Sequence, residues 1–204
     1  MNKKAVIAMS GGVDSAVAAF LMKENGYECI GATMKLFHNE DACIPREKSC
    51  CSLEDVEDAR SVAFSLGIPH YVFNFTERFR NDVIDRFVAA YECGATPNPC
   101  IDCNRYLKFD KLFRRAEELG FDYVVTGHYA QIEYNEASGR YILKKALDET
   151  KDQSYVLYSM TQRQLAHTQF PLGKLRKTEV RRIAEEHGTR NSDIYGNMYN
   201  NNGN

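Results

Sequence analysis

Two short stretches carry side chains able to do chemistry at spacings that matter: Ser10-Gly11-Gly12-Val13-Asp14-Ser15 near the start, and Cys100-Ile101-Asp102-Cys103 at the middle. In the first, two glycines flanked by hydroxyl residues let the backbone come close to a ligand and aim its N–H groups at it, which suits an anion. The apolar run Ala5 to Met9 precedes it, and a 3.6-residue pattern through Val13, Ala16, Val17, Phe20 and Leu21 follows. The glycines therefore fall between a strand and a helix N-terminus. Orphan N–H groups and the positive end of the helix dipole add to the cradle, with the Ser10 and Ser15 hydroxyls in reach of the same oxygens. Phosphate is the ligand this predicts. The spacing fits neither G-x-G-x-x-G nor G-x-x-x-x-G-K-[ST], and no lysine stands where a P-loop holds the β- and γ-phosphates. Asp14 repels phosphate unless it binds Mg2+ or caps the helix, and a metal–pyrophosphate complex resolves the conflict most simply. The plainer alternative is an ordinary βα turn with a capping aspartate.

The pair Cys100-x-x-Cys103 reads as a redox pair able to close a disulfide bond, as half of a zinc or iron–sulfur site, or as a nucleophile with a neighbour. Pro97 and Pro99 hold the preceding segment extended. A helix expected over Asn104 to Leu119 sets its first turn beside Cys103, where the dipole, Arg105 and Lys108 favour thiolate. Gly127-His128-Tyr129 ends a strand expected from Phe121 to Thr126, the position at which open α/β sheets bind ligands. His128 there is a general base, a phosphate contact or a structural histidine. Cys43, Cys50 and Cys51 with His38 suggest zinc only weakly, because adjacent cysteines converge poorly on one ion.

These groups need a scaffold. Strands at 27–37, 70–75 and 121–126 alternate with helices at 53–66 and from Thr76 through Tyr91, a βαβα order that predicts a parallel sheet covered on both faces. Residues 38–52 read as a loop, Ala130 to Leu147 as a β-hairpin, Lys151 to Leu165 as a helical run and Thr178 to His187 as a last amphipathic helix. The asparagine-rich residues 188–204 read as a disordered tail. At 204 residues, 26% of them charged and with a net charge of −2, the chain reads as one globular domain, residues 1–187. No run approaches a membrane span, so cytoplasmic residence is expected. Seven cysteines without a secretory pattern favour thiol or metal chemistry over a disulfide framework. Near-neutral charge excludes a strongly basic nucleic-acid binder but leaves room for a local basic face.

Ser-Gly-Gly-Val-Asp-Ser after an N-terminal strand resembles the pyrophosphate loop of the ATP-pyrophosphatase superfamily. Gly31-Ala32-Thr33-Met34-Lys35, Thr96-Pro97-Asn98-Pro99-Cys100-Ile101-Asp102-Cys103-Asn104, Thr126-Gly127-His128-Tyr129 and Lys151-Asp152-Gln153-Ser154-Tyr155 extend the likeness. Together, up to about His187, they resemble the bacterial tRNA-specific 2-thiouridylase family. That resemblance implies an α/β fold, a Rossmann-like parallel sheet of the adenine nucleotide alpha hydrolase-like, PP-loop ATPase type. It implies ATP and Mg2+, adenylation of O2 of uridine 34 in tRNA, and sulfur transfer from a cysteine persulfide supplied by a cysteine desulfurase or sulfur-relay donor. Ala8, Met9, Ser10, Gly11, Gly12, Val13, Asp14 and Ser15 then hold the nucleotide, with Met34 beside the adenine and Gly127 at the nucleotide. Cys103 is the catalytic cysteine that attacks the persulfide, with Cys100 its neighbour. Asn98, Pro99, Cys100, His128, Lys151, Asp152 and Gln153 lie near the tRNA.

Many members of that family have Asn-Pro-Asp where this chain has Asn98-Pro99-Cys100. The change moves the site from carboxylate towards thiol or cluster chemistry, a [4Fe–4S] group taking Cys51 or Cys93 as a third ligand. The family pattern continues with a second cysteine and a β-rich tRNA-binding portion, neither of which follows Gly188 within these residues. The expectation is a chain that binds ATP but thiolates tRNA poorly by itself. Competing readings are another ATP-pyrophosphatase ligase, a non-catalytic nucleotide- or tRNA-binding remnant, and an iron–sulfur-dependent thiolase.

Overall fold

The computed structural model describes residues 2–37 and 53–187. The expected loop 38–52, with His38, Cys43, Cys50 and Cys51, and the expected tail 188–204 lie outside the described residues. Strands and helices alternate from the start as β1 (Lys4–Ala8), α1 (Val13–Glu24), β2 (Glu28–Lys35), α2 (Leu53–Ser65) and β3 (His70–Asn74). With β4 (Tyr123–Val125) and β7 (Thr168–Gln169) they build one sheet in the order β3-β2-β1-β4-β7, every pairing parallel.

The period of two along a strand sorts the core. Ala5 and Ile7 face Ala16, Ala19 and Met22 of α1 with Ala59, Val62 and Ala63 of α2. Val6 faces the other way, into a cluster with Ile30, Met34, Leu107, Leu112 and Val124. Helices thus cover both faces of the central strands β1 and β4, which are buried and apolar nearly throughout, whereas the edge strand β3 leaves Tyr71 and Val72 exposed. After β3 the chain crosses back to lay β4 on the other flank of β1. The carboxyl ends of β1 and β4 therefore border a topological switch point, where such sheets open a crevice.

Two helical regions depart from the expected single helices. α3 (Thr76–Phe79), a π-helical stretch Arg80–Ile84 and α4 (Asp85–Glu92) follow one another. The second region starts five residues earlier than its hydrophobic pattern suggests, as α5 (Pro99–Asp102), a π-helical stretch Cys103–Leu112 and α6 (Phe113–Glu118). The cause is local: Asn98 Oδ1 accepts from the Cys100 N–H at 3.0 Å, and Pro99 at the first helical position needs no partner for a missing N–H. Pro99 therefore launches a helix within the segment expected to be an extended presentation loop, while residues 95–98, Pro97 among them, remain outside it with Asn98 extended.

β5 (Ala130–Asn135) and β6 (Arg140–Lys145) form the hairpin. After it the expected helix over Lys151 to Leu165 is replaced by 3-10 turns at Glu149–Lys151 and Ser154–Val156, then α7 (Gln162–Ala166). Asp152 is why. Its two oxygens accept from the Ala146 N–H at 2.7 Å and the Ser154 hydroxyl at 2.7 Å, tying this segment to the hairpin. A last 3-10 turn, Pro171–Lys174, leads to α8 (Lys177–Glu186), whose Val180 and Ala184 pack on Val17 and Ala18 of α1. A methyl group at Gly173 would sit 1.8 Å from the Ala130 carbonyl oxygen. Gly173→Ala should therefore cost about 1–3 kcal/mol of stability or more, read as a lowered urea midpoint with an unchanged slope.

Candidate active site

At the crevice the chain encloses a cavity of about 330 Å3. Ala8, Met9, Ser10, Asp14 and Ser15 line it from the β1–α1 segment, Met34 and Leu36 from β2 and the residue after it, and Thr126, Gly127 and His128 from the end of β4. Cys100, Cys103, Asn104 and Lys108, from the helical region that begins at Pro99, and Gln153, Tyr155 and Val156, from the segment after the hairpin, complete the lining. The β1–α1 segment and the cysteine pair, eighty-five residues or more apart in sequence, share one cavity.

The loop's shape comes from Gly11. Its φ is +75°, and a Cβ there would lie 2.6 Å from the Asp55 carbonyl oxygen at the start of α2. Gly12 is different: at φ −80° and ψ 158° it is ordinary extended backbone capping α1, with nothing nearer a built Cβ than Ser10 Oγ at 3.7 Å. The backbone argument for two glycines thus holds for one. Ser15 is buried, its hydroxyl donating to the Gly12 carbonyl at 2.9 Å and accepting from the Ser10 N–H at 3.3 Å, so it braces the loop. Gly127 lets β4 approach α1, since a Cβ there would stand 2.9 Å from the Asp14 carbonyl carbon.

Asp14 neither stands alone nor caps its helix. Its Oδ1 accepts from Lys177 Nζ at 2.5 Å and from the Tyr129 hydroxyl at 2.8 Å. The charge conflict foreseen for this residue is met by a lysine 163 positions away, which no local pattern could signal.

His128 is buried, its Nδ1 2.7 Å from the Thr126 hydroxyl and its ring against Phe109 and Phe170. Burial pushes its pKa well below the ordinary histidine value, and the charge of Lys108 adds to the shift. The imidazole is neutral at physiological pH. A neutral histidine that cannot take up a proton when folded, but can when unfolded, costs stability as pH falls below about 6.5, by at most about 1.4 kcal/mol per pH unit. His70, also lowered by burial, acts in the same sense. Urea unfolding at pH 7.5, 6.5 and 5.5 should show that loss, and His128→Gln should flatten the slope without abolishing it; an unchanged slope would contradict the assignment.

Asn104 follows Cys103 on the same wall and is 2% exposed, yet its Oδ1 meets no hydrogen-bond partner among the described residues. Such an atom costs about 1–3 kcal/mol unless something else satisfies it, and its place on the cavity wall suits a ligand or water donor. Cys100 and Cys103, three residues apart, share one helical face. No disulfide involves Cys29, Cys93, Cys100 or Cys103, which corrects the disulfide reading of the C-x-x-C pair. Among the described residues no group of three or more His, Cys, Asp or Glu side chains converges as a metal site. Cys93 is exposed at the end of α4, and Cys51 lies outside the described residues.

Of the other expected site residues, Gln153 lines the cavity and grips Tyr129, its Oε1 accepting from the Tyr129 N–H at 3.0 Å and its own N–H donating to the Tyr129 carbonyl at 2.9 Å. Asn98 and Pro99 begin α5 outside the lining, and Val13 begins α1. Asp152 is engaged with the hairpin, and Lys151 is exposed. Asn104, Thr126, Tyr155 and Lys177 are the contributors that their residue types alone did not single out as site residues. No helix among the described residues is long and apolar enough to cross a membrane.

Residues 3–194 match the family described as the tRNA methyl transferase HUP domain. The chain is 55% identical over 188 residues to the tRNA-specific 2-thiouridylase MnmA of Clostridioides difficile and 56% identical over 188 residues to that of Clostridium acetobutylicum, covering 92% of this chain and 52% of each relative. It thus spans about half the length of these curated relatives. Among solved structures, a 4-thiouridine synthetase in complex with RNA and ATP superposes with a TM-score of 0.59 at 23% identity, over 92% of this chain and 41% of that one. At that identity the likeness concerns the fold.

Proposed function

This chain belongs to the tRNA methyl transferase HUP domain family, and from that membership and the geometry of its cavity we propose that it is the nucleotide-binding, sulfur-handling part of a tRNA uridine 2-sulfurtransferase. The observation that carries the reading is the single cavity lined by both the β1–α1 segment and the Cys100–Cys103 face. The family's description speaks of methyl transfer and the relatives' names of thiolation. Two thiols facing a phosphate-type loop favour sulfur, because methyl transfer has no use for a paired cysteine beside a pyrophosphate cradle.

In this reading residues 1–187 form the catalytic domain. The triphosphate lies along Ser10 to Ser15 against the first N–H groups of α1, with Ala8 and Met9 beneath it, Met34 beside the adenine and Gly127 close to the nucleotide. O2 of uridine 34 attacks the α-phosphorus and pyrophosphate leaves. A persulfide sulfur on Cys103 then attacks C2, the C2–O bond breaks as AMP departs, and attack of the Cys100 thiolate on the inner sulfur breaks the S–S bond, leaving a Cys100–Cys103 disulfide and the 2-thiocarbonyl. Fixed backbone donors stabilise the charge that gathers on the leaving pyrophosphate. Asp14 is the one carboxylate among the described cavity-lining residues and would be the protein's ligand to a Mg2+ ion, beside the contacts its Oδ1 already makes with Lys177 and Tyr129. That ion would supply further neutralisation of the leaving group. Cys103 takes sulfur from a donor persulfide, Cys100 stands beside it, and the neutral His128 orients rather than accepts a proton. Tyr155, 61% exposed at the cavity, offers a ring on which an unstacked base can rest.

The partners are tRNA and a cysteine desulfurase or relay protein. A second reading, a [4Fe–4S] group on Cys100 and Cys103, rests on their shared face; anaerobic purification with an absorbance scan separates the two. The adenylation step is tested by exchange of labelled pyrophosphate into ATP. Exchange should need a tRNA with uridine at position 34 and vanish with cytidine there; equal exchange without tRNA would contradict it.

A further inference from the structure

The segment Met9 to Ser15 carries no basic residue, and its only charge is the carboxylate of Asp14, in the first turn of α1, which lines the cavity. We propose that Lys177, from the first turn of α8, is the charge-compensating lysine of the phosphate loop: it neutralises Asp14 so that the loop can accept a polyphosphate. This rests on the nucleotide-binding reading above and adds a residue to it.

Two groups converge on the carboxylate and on each other. Lys177 Nζ stands 2.5 Å from Asp14 Oδ1, the Tyr129 hydroxyl donates to the same oxygen at 2.8 Å, and the ammonium lies 5.7 Å from the centre of the Tyr129 ring. The lysine and aspartate side chains are 22% and 36% exposed, so the pair is shielded more than a surface ion pair and screened less by salt. The lysine also occupies a position its own helix disfavours, since a cation in the first turn opposes the macrodipole. That turn is held in place regardless. The Lys177 N–H donates to Asp148 Oδ2 at 2.9 Å, and the Arg176 N–H donates to Glu179 Oε2 at 2.7 Å. Packing of Val180 and Ala184 on Val17 and Ala18 fixes α8 against α1, and so fixes the reach of the lysine to the loop.

Without Lys177 the loop would present an uncompensated negative charge to the phosphates. The loss therefore depends on Asp14, and it touches phosphate-bearing ligands alone. Calorimetric titration with ATP and with adenosine, in Mg2+, of wild type, Lys177→Met, Lys177→Arg, Asp14→Asn and the Asp14→Asn/Lys177→Met pair reads this directly. ATP affinity should fall at least about tenfold in Lys177→Met, stay within about threefold in Lys177→Arg, and recover most of the loss in the double variant, while adenosine affinity is unmoved throughout. Wild-type ATP affinity in Lys177→Met, an equal loss for adenosine, or a double variant no tighter than Lys177→Met would each overturn the proposal. A wild-type chain that binds no ATP would instead count against the nucleotide reading itself.

Discussion

Valine at Gly11 should weaken ATP binding by about a hundredfold or more, whereas alanine at Gly12 should change it by less than about threefold. The two glycines look equivalent in sequence and are not so in the fold. At Gly11 a side chain meets a φ of +75° and the backbone of Asp55 at 2.6 Å. Left-handed strain costs about 1–3 kcal/mol for a β-branched residue, and forcing α2 away costs a similar amount again. Either displaces the loop by enough to misalign its N–H groups. Gly12 has ordinary dihedrals and open space, so a methyl group there costs little. Calorimetric titration of both variants decides the matter. Equal losses would mean that the nucleotide presses on Gly12 itself, and no loss at Gly11 would remove the loop from the site.

Cys103→Ser should abolish sulfur uptake by the chain, a drop of at least about a hundredfold, while ATP affinity stays within about twofold. The transfer exchanges one S–S bond for another: the Cys103 thiolate attacks the outer sulfur of a donor persulfide, and the donor leaves as a thiolate. A serine hydroxyl cannot replace it. Mass spectrometry of tryptic peptides after incubation with a cysteine desulfurase and cysteine reads the added sulfur on each thiol. Cys29 serves as an internal zero, since burial pushes its thiol up to about 11 and leaves it about a hundredfold less thiolate than an ordinary cysteine at neutral pH. Sulfur retained in Cys103→Ser at the wild-type level would assign the role to another cysteine.

What could be read from the residues alone was what is local. The strand, glycines and helix of the first motif, the C-x-x-C pair and the hairpin each declare themselves within about twenty residues, and the sheet class follows from the alternation of strands and helices. Pairings across the fold do not. Nothing near Asp14 announces Lys177 or Tyr129, because their meeting depends on how α8 and the segment after β4 pack on α1. His128 was open to three roles until its burial between Phe109 and Phe170 was known. β7 is two residues long, too short for any period to register, and is a strand only because β4 offers it an edge. The helix at Pro99 was misread because proline both stiffens extended chain and begins helices, and the Asn98 cap decides between them.

One cavity is proposed to hold the nucleotide and present Cys100 and Cys103 to it. Differential alkylation tests it most directly: the rate at each cysteine is followed by mass spectrometry while ATP with Mg2+ is titrated in. Cys100 and Cys103 should slow together, saturably, at the dissociation constant calorimetry gives for ATP, while the exposed Cys93 keeps its rate. Unchanged alkylation of Cys100 and Cys103 at saturating ATP, or equal protection of Cys93, would contradict it.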